Sequence, residues 1–142
     1  MKLINSLLDY ENIPAQDIAV FTANRVVKRN GALVMGAGNA KACAYEYYDA
    51  DKQFGKHLKN QCFLVLSCEG GKVGALVTKE HFQDKSDVHL VVKAINELRQ
   101  FAEENPYTTL HVPYPAIGYG GLTIQDIAPH LKDLPDNVVI YK

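Results

Sequence analysis

Two clusters of glycine constrain this chain more than any other feature. Gly36-Ala37-Gly38 ends a short apolar run, Gly31–Met35 (GALVM), and a helix-like segment follows it. Thr108–Val112 (TTLHV) runs through Pro113-Tyr114-Pro115-Ala116-Ile117 into Gly118-Tyr119-Gly120-Gly121, with Thr123 placed to cap a helix behind. Glycine loses more conformational freedom on folding than any other residue, so three within four positions mean that the backbone needs that freedom. An apolar run, a glycine turn and a helix start in succession leave unpaired N–H groups facing a small anion. The plainer alternative is a tight turn that needs small residues only for packing. The GxGxxG spacing of dinucleotide-binding turns is absent.

The remaining chain alternates strands and helices. Residues 1–13 are a lead-in, a short strand or helical turn. Asp17–Ala23 (DIAVFTA) suits a buried strand. Asn39–Asn60 reads as helix, bent or broken near Gly55, with Ala40, Cys43, Ala44, Tyr47 and Tyr48 on one apolar stripe. Gln61–Ser67 and Val73–Thr78 flank a turn signal and form a hairpin. Ser86–Asn105 is the clearest helix, with Ser86 as its cap and Pro106 as its stop. A short helix from Thr123 to Leu134 and a strand, Val138–Tyr141, complete the order. This pattern predicts a mostly parallel sheet covered on both faces, with one antiparallel hairpin. In such sheets ligands sit at the carboxyl ends of the strands, where both glycine clusters fall.

Composition narrows the partners. The 142 residues suit a single domain, 1–142, and carry 15 basic and 16 acidic side chains. A duplex nucleic acid needs a strongly basic face, so none is expected as a partner. Cys43, Cys62 and Cys68 lack CxxC spacing, and the five histidines are scattered; neither a disulfide framework, a metal site nor a bound cofactor is expected. No segment has the length of a membrane span and the N-terminus does not read as a signal peptide, so a cytoplasmic monomer is the expectation.

The first loop, GALVMGAGNAKA, resembles the first ligand loop of the macrodomain family, whose members bind ADP-ribose. It is especially similar to small phage and bacterial macrodomain-like proteins and to the branch that removes ADP-ribose from glutamate side chains. Pro115 to Leu122 (PAIGYGGL) resembles the second, phosphate-cradling loop, and the order of elements between them is similar from about Asp17 to Tyr141. The resemblance implies a three-layer α/β/α fold with a mixed, mostly parallel sheet. It implies that Asn24 and the loop Met35, Gly36, Ala37, Gly38, Asn39 and Ala40 meet the distal ribose and pyrophosphate. Pro115, Ile117, Gly118, Tyr119, Gly120, Gly121 and Leu122 would wrap the diphosphate from the other side, and Asp17 and Ile18 would lie near the adenine.

In the glutamate-directed branch a lysine at the end of the hairpin strand attacks the sugar, assisted by an aspartate in the second loop. Leu76-Val77-Thr78-Lys79 is similar to the lysine segment, which makes Lys79 the catalytic candidate. The second loop here carries no aspartate, and Asp126 lies beyond it. The plainer reading of Lys79 is a solvent-exposed strand end. Four readings stay open: an ADP-ribose binding module, a hydrolase releasing ADP-ribose from a modified protein or nucleobase, a phage-type protein sequestering an ADP-ribose-derived signal, and a structural subunit that keeps the fold without a working site.

Overall fold

A computed structural model describes all residues, 1–142. Six strands form one sheet in the order β1-β6-β5-β2-β4-β3: β1 Lys2–Ile4, β2 Ile18–Ala23, β3 Phe63–Cys68, β4 Gly71–Val77, β5 Leu110–Pro113 and β6 Val138–Tyr141. Every neighbouring pair is parallel except the hairpin β3–β4. The helices are α1 Gly38–Glu46, α2 Ala50–His57, α3 Val88–Glu104 and α4 Ile124–Leu131.

Side chains of a strand alternate between faces, and β2 shows how the layers arise. Ile18 and Val20 join Val91, Ile95 and Leu98 of α3 and Ile127 and Leu131 of α4 in one core. Ala19, Phe21 and Ala23 join Cys43 of α1 and Ala50 and Phe54 of α2 in the other. The Phe21 and Phe54 rings meet edge-on with centroids 5.2 Å apart. The result is the expected three-layer α/β/α arrangement.

The feature that shapes the molecule is an incomplete pairing. β2 pairs with β4 along all six residues, from Ile18↔Lys72 to Ala23↔Val77. With β5 it pairs only at Ile18↔Leu110 and Ala19↔His111. Alternate residues of a parallel strand aim their backbone groups at the same neighbour, and the Ile18 N–H reaches the Thr109 carbonyl at 2.9 Å. Further along, the groups aimed that way have lost β5. Side chains take over, because a buried backbone group without a partner is costly. The Tyr10 hydroxyl donates to the Val20 carbonyl at 2.7 Å. The Thr22 N–H donates to Oδ1 of Asn39 at 2.8 Å, and Asn39 Nδ2 donates to Thr22 Oγ1 at 2.9 Å. The sheet therefore opens at the carboxyl ends of β2 and β5.

Four local expectations are corrected. Gly31–Met35 is not a strand; it crosses as a loop with one isolated bridge, Val27↔Leu33. The long helix breaks at Tyr47–Asp49 rather than near Gly55, giving α1 and α2. Tyr48 leaves the buried stripe and is exposed, whereas Cys43 and Tyr47 are buried. Ser86 does not cap α3; the Asp87 carboxylate does, accepting from the His89 N–H.

Gly55 has a reason other than flexibility. A Cβ there would stand 1.9 Å from the Gly31 carbonyl oxygen and 2.8 Å from the Leu33 nitrogen. The Leu33 N–H donates to the Asp51 carbonyl at 2.8 Å, so loop 24–35 lies directly against α2. Gly55→Ala must push backbone from backbone, and we expect a loss of about 3 kcal/mol or more in urea unfolding, at the upper end of overpacking costs. Asn39→Ala strands the Thr22 N–H and should cost about 1–3 kcal/mol in the same assay.

Candidate functional site

The opening between β2 and β5 continues into a cleft of about 550 Å³, within the ordinary range for small-molecule sites. Thr22 and Asn24 border it on the β2 side, and Tyr114 and Ala116 on the β5 side. The two glycine loops form its walls.

Asn24 builds the first wall. It is 8% exposed. Its Nδ2 donates to the Val34 carbonyl at 3.0 Å and its Oδ1 accepts from the Val26 N–H at 2.8 Å. Both ends of loop 24–35 are thus tied to one side chain, which aims the chain at Gly36. α1 then starts at Gly38, whose φ of +58° lies in the left-handed region. Ala37 is the N-cap and offers no side-chain cap. The N–H groups of Gly38, Asn39 and Ala40 donate to no backbone carbonyl. An uncapped helix start leaves partial positive charge at the cleft.

The second wall turns at Ala116, a non-glycine at φ +67°, then at Gly118, φ +69°, and Gly121, φ +76°. Backbone held there by a residue with a side chain costs energy and persists only where its surroundings enforce it. The Leu122 N–H closes the turn on the Ala116 carbonyl at 3.0 Å. Gly120 and Gly121 bond within the loop, while the N–H groups of Gly118 and Tyr119 donate to no backbone carbonyl. The exposed Tyr119 ring reaches across to the first wall, where a Cβ on Gly38 would lie 3.6 Å from its Cδ2. The two loops therefore meet over one space.

Lys79 enters this space from the end of β4 and is half-buried. Its ammonium donates to the carbonyls of Phe82 and Asp84 at 3.4 and 3.3 Å. Asp84 also borders the cleft and is its one acidic side chain. Asp126 stays outside as an exposed capping-box residue of α4. Its hydrogen bonds with Thr123 hold its carboxyl below the usual range. Burial pushes the Tyr114 hydroxyl pKa up, so it stays protonated and donates to the Ile124 carbonyl at 3.4 Å. Burial likewise raises the Cys43 thiol, leaving it an unreactive core residue.

Of the residues selected from sequence, Asn24, Gly36, Ala37, Gly38, Asn39, Ala40, Lys79, Ile117, Tyr119 and Gly120 border the cleft together. Pro115, Gly118, Gly121 and Leu122 belong to the second loop without bordering it. Met35 faces a neighbouring depression of about 600 Å³, shared by Tyr10, Gly38, Lys41 and Tyr45. Asp17 and Ile18 stand at the opposite end of β2. The Asp17 carboxylate bonds His111 Nε2 at 2.8 Å, and His111 Nδ1 meets the Tyr141 hydroxyl at 2.7 Å. Ile18 is core, 1% exposed. The adenine position given to this pair is therefore corrected: both side chains are committed elsewhere.

Thr22, Thr78, Asp84, Ser86 and Tyr114 border the cleft without having been selected. The two threonines had a readable signal, as polar residues ending apolar strands. Segment 80–86 has no periodicity to place it.

No protein-family model matches the chain, and no curated protein matches it by sequence. Solved structures do match. The macrodomain of Mycobacterium tuberculosis DarG is 22% identical, with a TM-score of 0.75 over 98% of this chain and 96% of its own. The macrodomain of Thermus aquaticus DarG is 19% identical, with a TM-score of 0.74 over 98% and 95%. DarTG from Thermosipho africanus, solved in complex with ADP-ribose, is 18% identical with a TM-score of 0.72 over 94% of this chain; the match spans 39% of that longer chain. With its strand order, layers and nearly whole length accounted for in this way, the chain has the macrodomain fold.

Proposed function

We propose that the cleft binds ADP-ribose or a closely related nucleotide. The observation that carries this reading is that residues with free N–H groups from both loops, Gly38–Ala40 on one side and Tyr119 on the other, border one space. A diphosphate offers acceptor oxygens to both loops, and backbone donors need no net positive charge to hold it. The terminal ribose points toward Asn24 and Lys79. The base points across Gly38 into the depression between Tyr10 and Tyr45, which shares that glycine with the cleft. The likeness to a DarTG solved with ADP-ribose supports the same ligand. In this reading residues 1–142 act as one monomeric domain, in the cytoplasm, on free ADP-ribose or on an ADP-ribosylated protein.

Gly36→Glu tests the site cleanly. Nothing lies within 4 Å of a Cβ at Gly36, and its φ is not left-handed. The variant should melt with the wild type while its affinity for ADP-ribose in calorimetry falls on the order of 100-fold, about 2.7 kcal/mol. Wild-type affinity no tighter than millimolar would defeat the proposal.

A hydrolase reading is favoured by one further observation: Lys79 and Asp84, a nucleophile and an acid, border the same cleft. The Lys79 ammonium would first give a proton to the Asp84 carboxylate; the free amine would attack the sugar carbon and break its bond to the modified group, which would take that proton as it leaves; water would then cleave the ADP-ribose from the lysine. Lys79→Ala should then lose on the order of 10² to 10⁴ in turnover of an ADP-ribosylated protein, with ADP-ribose affinity retained. Unchanged turnover would leave a binding or sequestering protein, the phage-type alternative.

A further inference from the structure

Ser86 occupies the turn between the segment that cages Lys79 and the start of α3. It is 7% exposed and borders the cleft. Its N–H donates to the Gly120 carbonyl at 2.8 Å, which ties this turn to the second loop. Its hydroxyl has no hydrogen-bond partner within the protein. A serine at such a place ordinarily caps the helix, but Asp87 has that task. A buried hydroxyl without a partner works against folding, and alanine would fit the same space without that cost. The second loop nevertheless leaves room for it: a Cβ on Gly120 would lie 2.7 Å from Ser86 Oγ. The φ of Gly120 is not left-handed, so space rather than backbone freedom demands glycine there.

We infer that Ser86 is a ligand-contacting residue whose hydroxyl donates to a diphosphate oxygen of the bound nucleotide. This rests on the reading of the cleft as a nucleotide site. The residue already borders the cleft, and its Oγ lies beside Gly120 of the second loop. The diphosphate is the part of the ligand that lies along the second loop, and a hydroxyl donating to an anionic oxygen makes one of the stronger hydrogen bonds. The same hydroxyl would thus be idle in the empty protein and engaged in the complex.

The test compares wild type and Ser86→Ala by calorimetry with two probes, ADP-ribose and ADP, and by thermal melting without ligand. Ser86→Ala should melt at or above the wild-type temperature. It should bind both probes roughly tenfold or more weakly, the loss expected for a hydrogen bond to a charged group. Equal affinity of the variant and the wild type for both probes overturns the inference. Weakened binding of ADP-ribose with unchanged binding of ADP overturns the assignment to the diphosphate. A lower melting temperature overturns the premise that the hydroxyl is idle in the empty cleft. Wild-type protein that binds neither probe overturns the reading of the cleft itself, and that result is seen before the variant is compared.

Discussion

The separation of β2 from β5 is the constraint on which the rest of the structure depends. Two strands that begin as partners part after Ala19, and the space they leave is the cleft. A parting strand exposes backbone groups that the interior does not tolerate unpaired. Tyr10 and Asn39 meet that demand, each from a different element. Asn39 belongs to the first turn of α1, so the bond that completes the strand also fixes where the helix begins. The aim of the free N–H groups is therefore set by a sheet defect and by the side chain that repairs it.

The chemistry of the cleft follows from that geometry. Lys79 and Asp84 are the charged side chains at its border, and the remaining lining is glycines and small residues, hydroxyl or amide groups, and the apolar side chains of Val34, Phe82 and Ile117. Recognition by backbone dipoles needs positions held in place more than it needs charge. The holding is visible in Asn24, which binds two points of its own loop, and in the Ser86 N–H, which fastens the second loop to the turn before α3. A near-neutral chain can therefore carry an anion site, because a phosphate needs positioned N–H groups more than net positive charge.

The sequence made much of this legible, and its failures share a cause. Apolar runs, turn signals and caps gave the sheet, the hairpin and the helix behind each glycine cluster, because these depend on neighbours within a few residues. What depended on contacts far apart in the chain was misread. Gly55 looked like a helix breaker until Gly31 was seen against it. Asp17 looked like a binding residue until His111, 94 positions away, was seen to hold it. Ser86 looked like a cap because spacing does not show that Asp87, one residue on, takes the bond. The cleft residues contributed by 80–86 had no periodic pattern to announce them.

Ala116 carries a consequence for how the second loop behaves over time. Glycine at a left-handed position samples both signs of φ, but an alanine held there has few other shapes to visit. The bend is flanked by buried Pro115 and closed by the Leu122 N–H. Its curvature is thus set by the fold itself, so a ligand of the proposed kind would meet a wall already formed. The exposed ring of Tyr119, two residues before the αL Gly121, is then carried on a fixed bend and set against Gly38 by the shape of the loop beneath it.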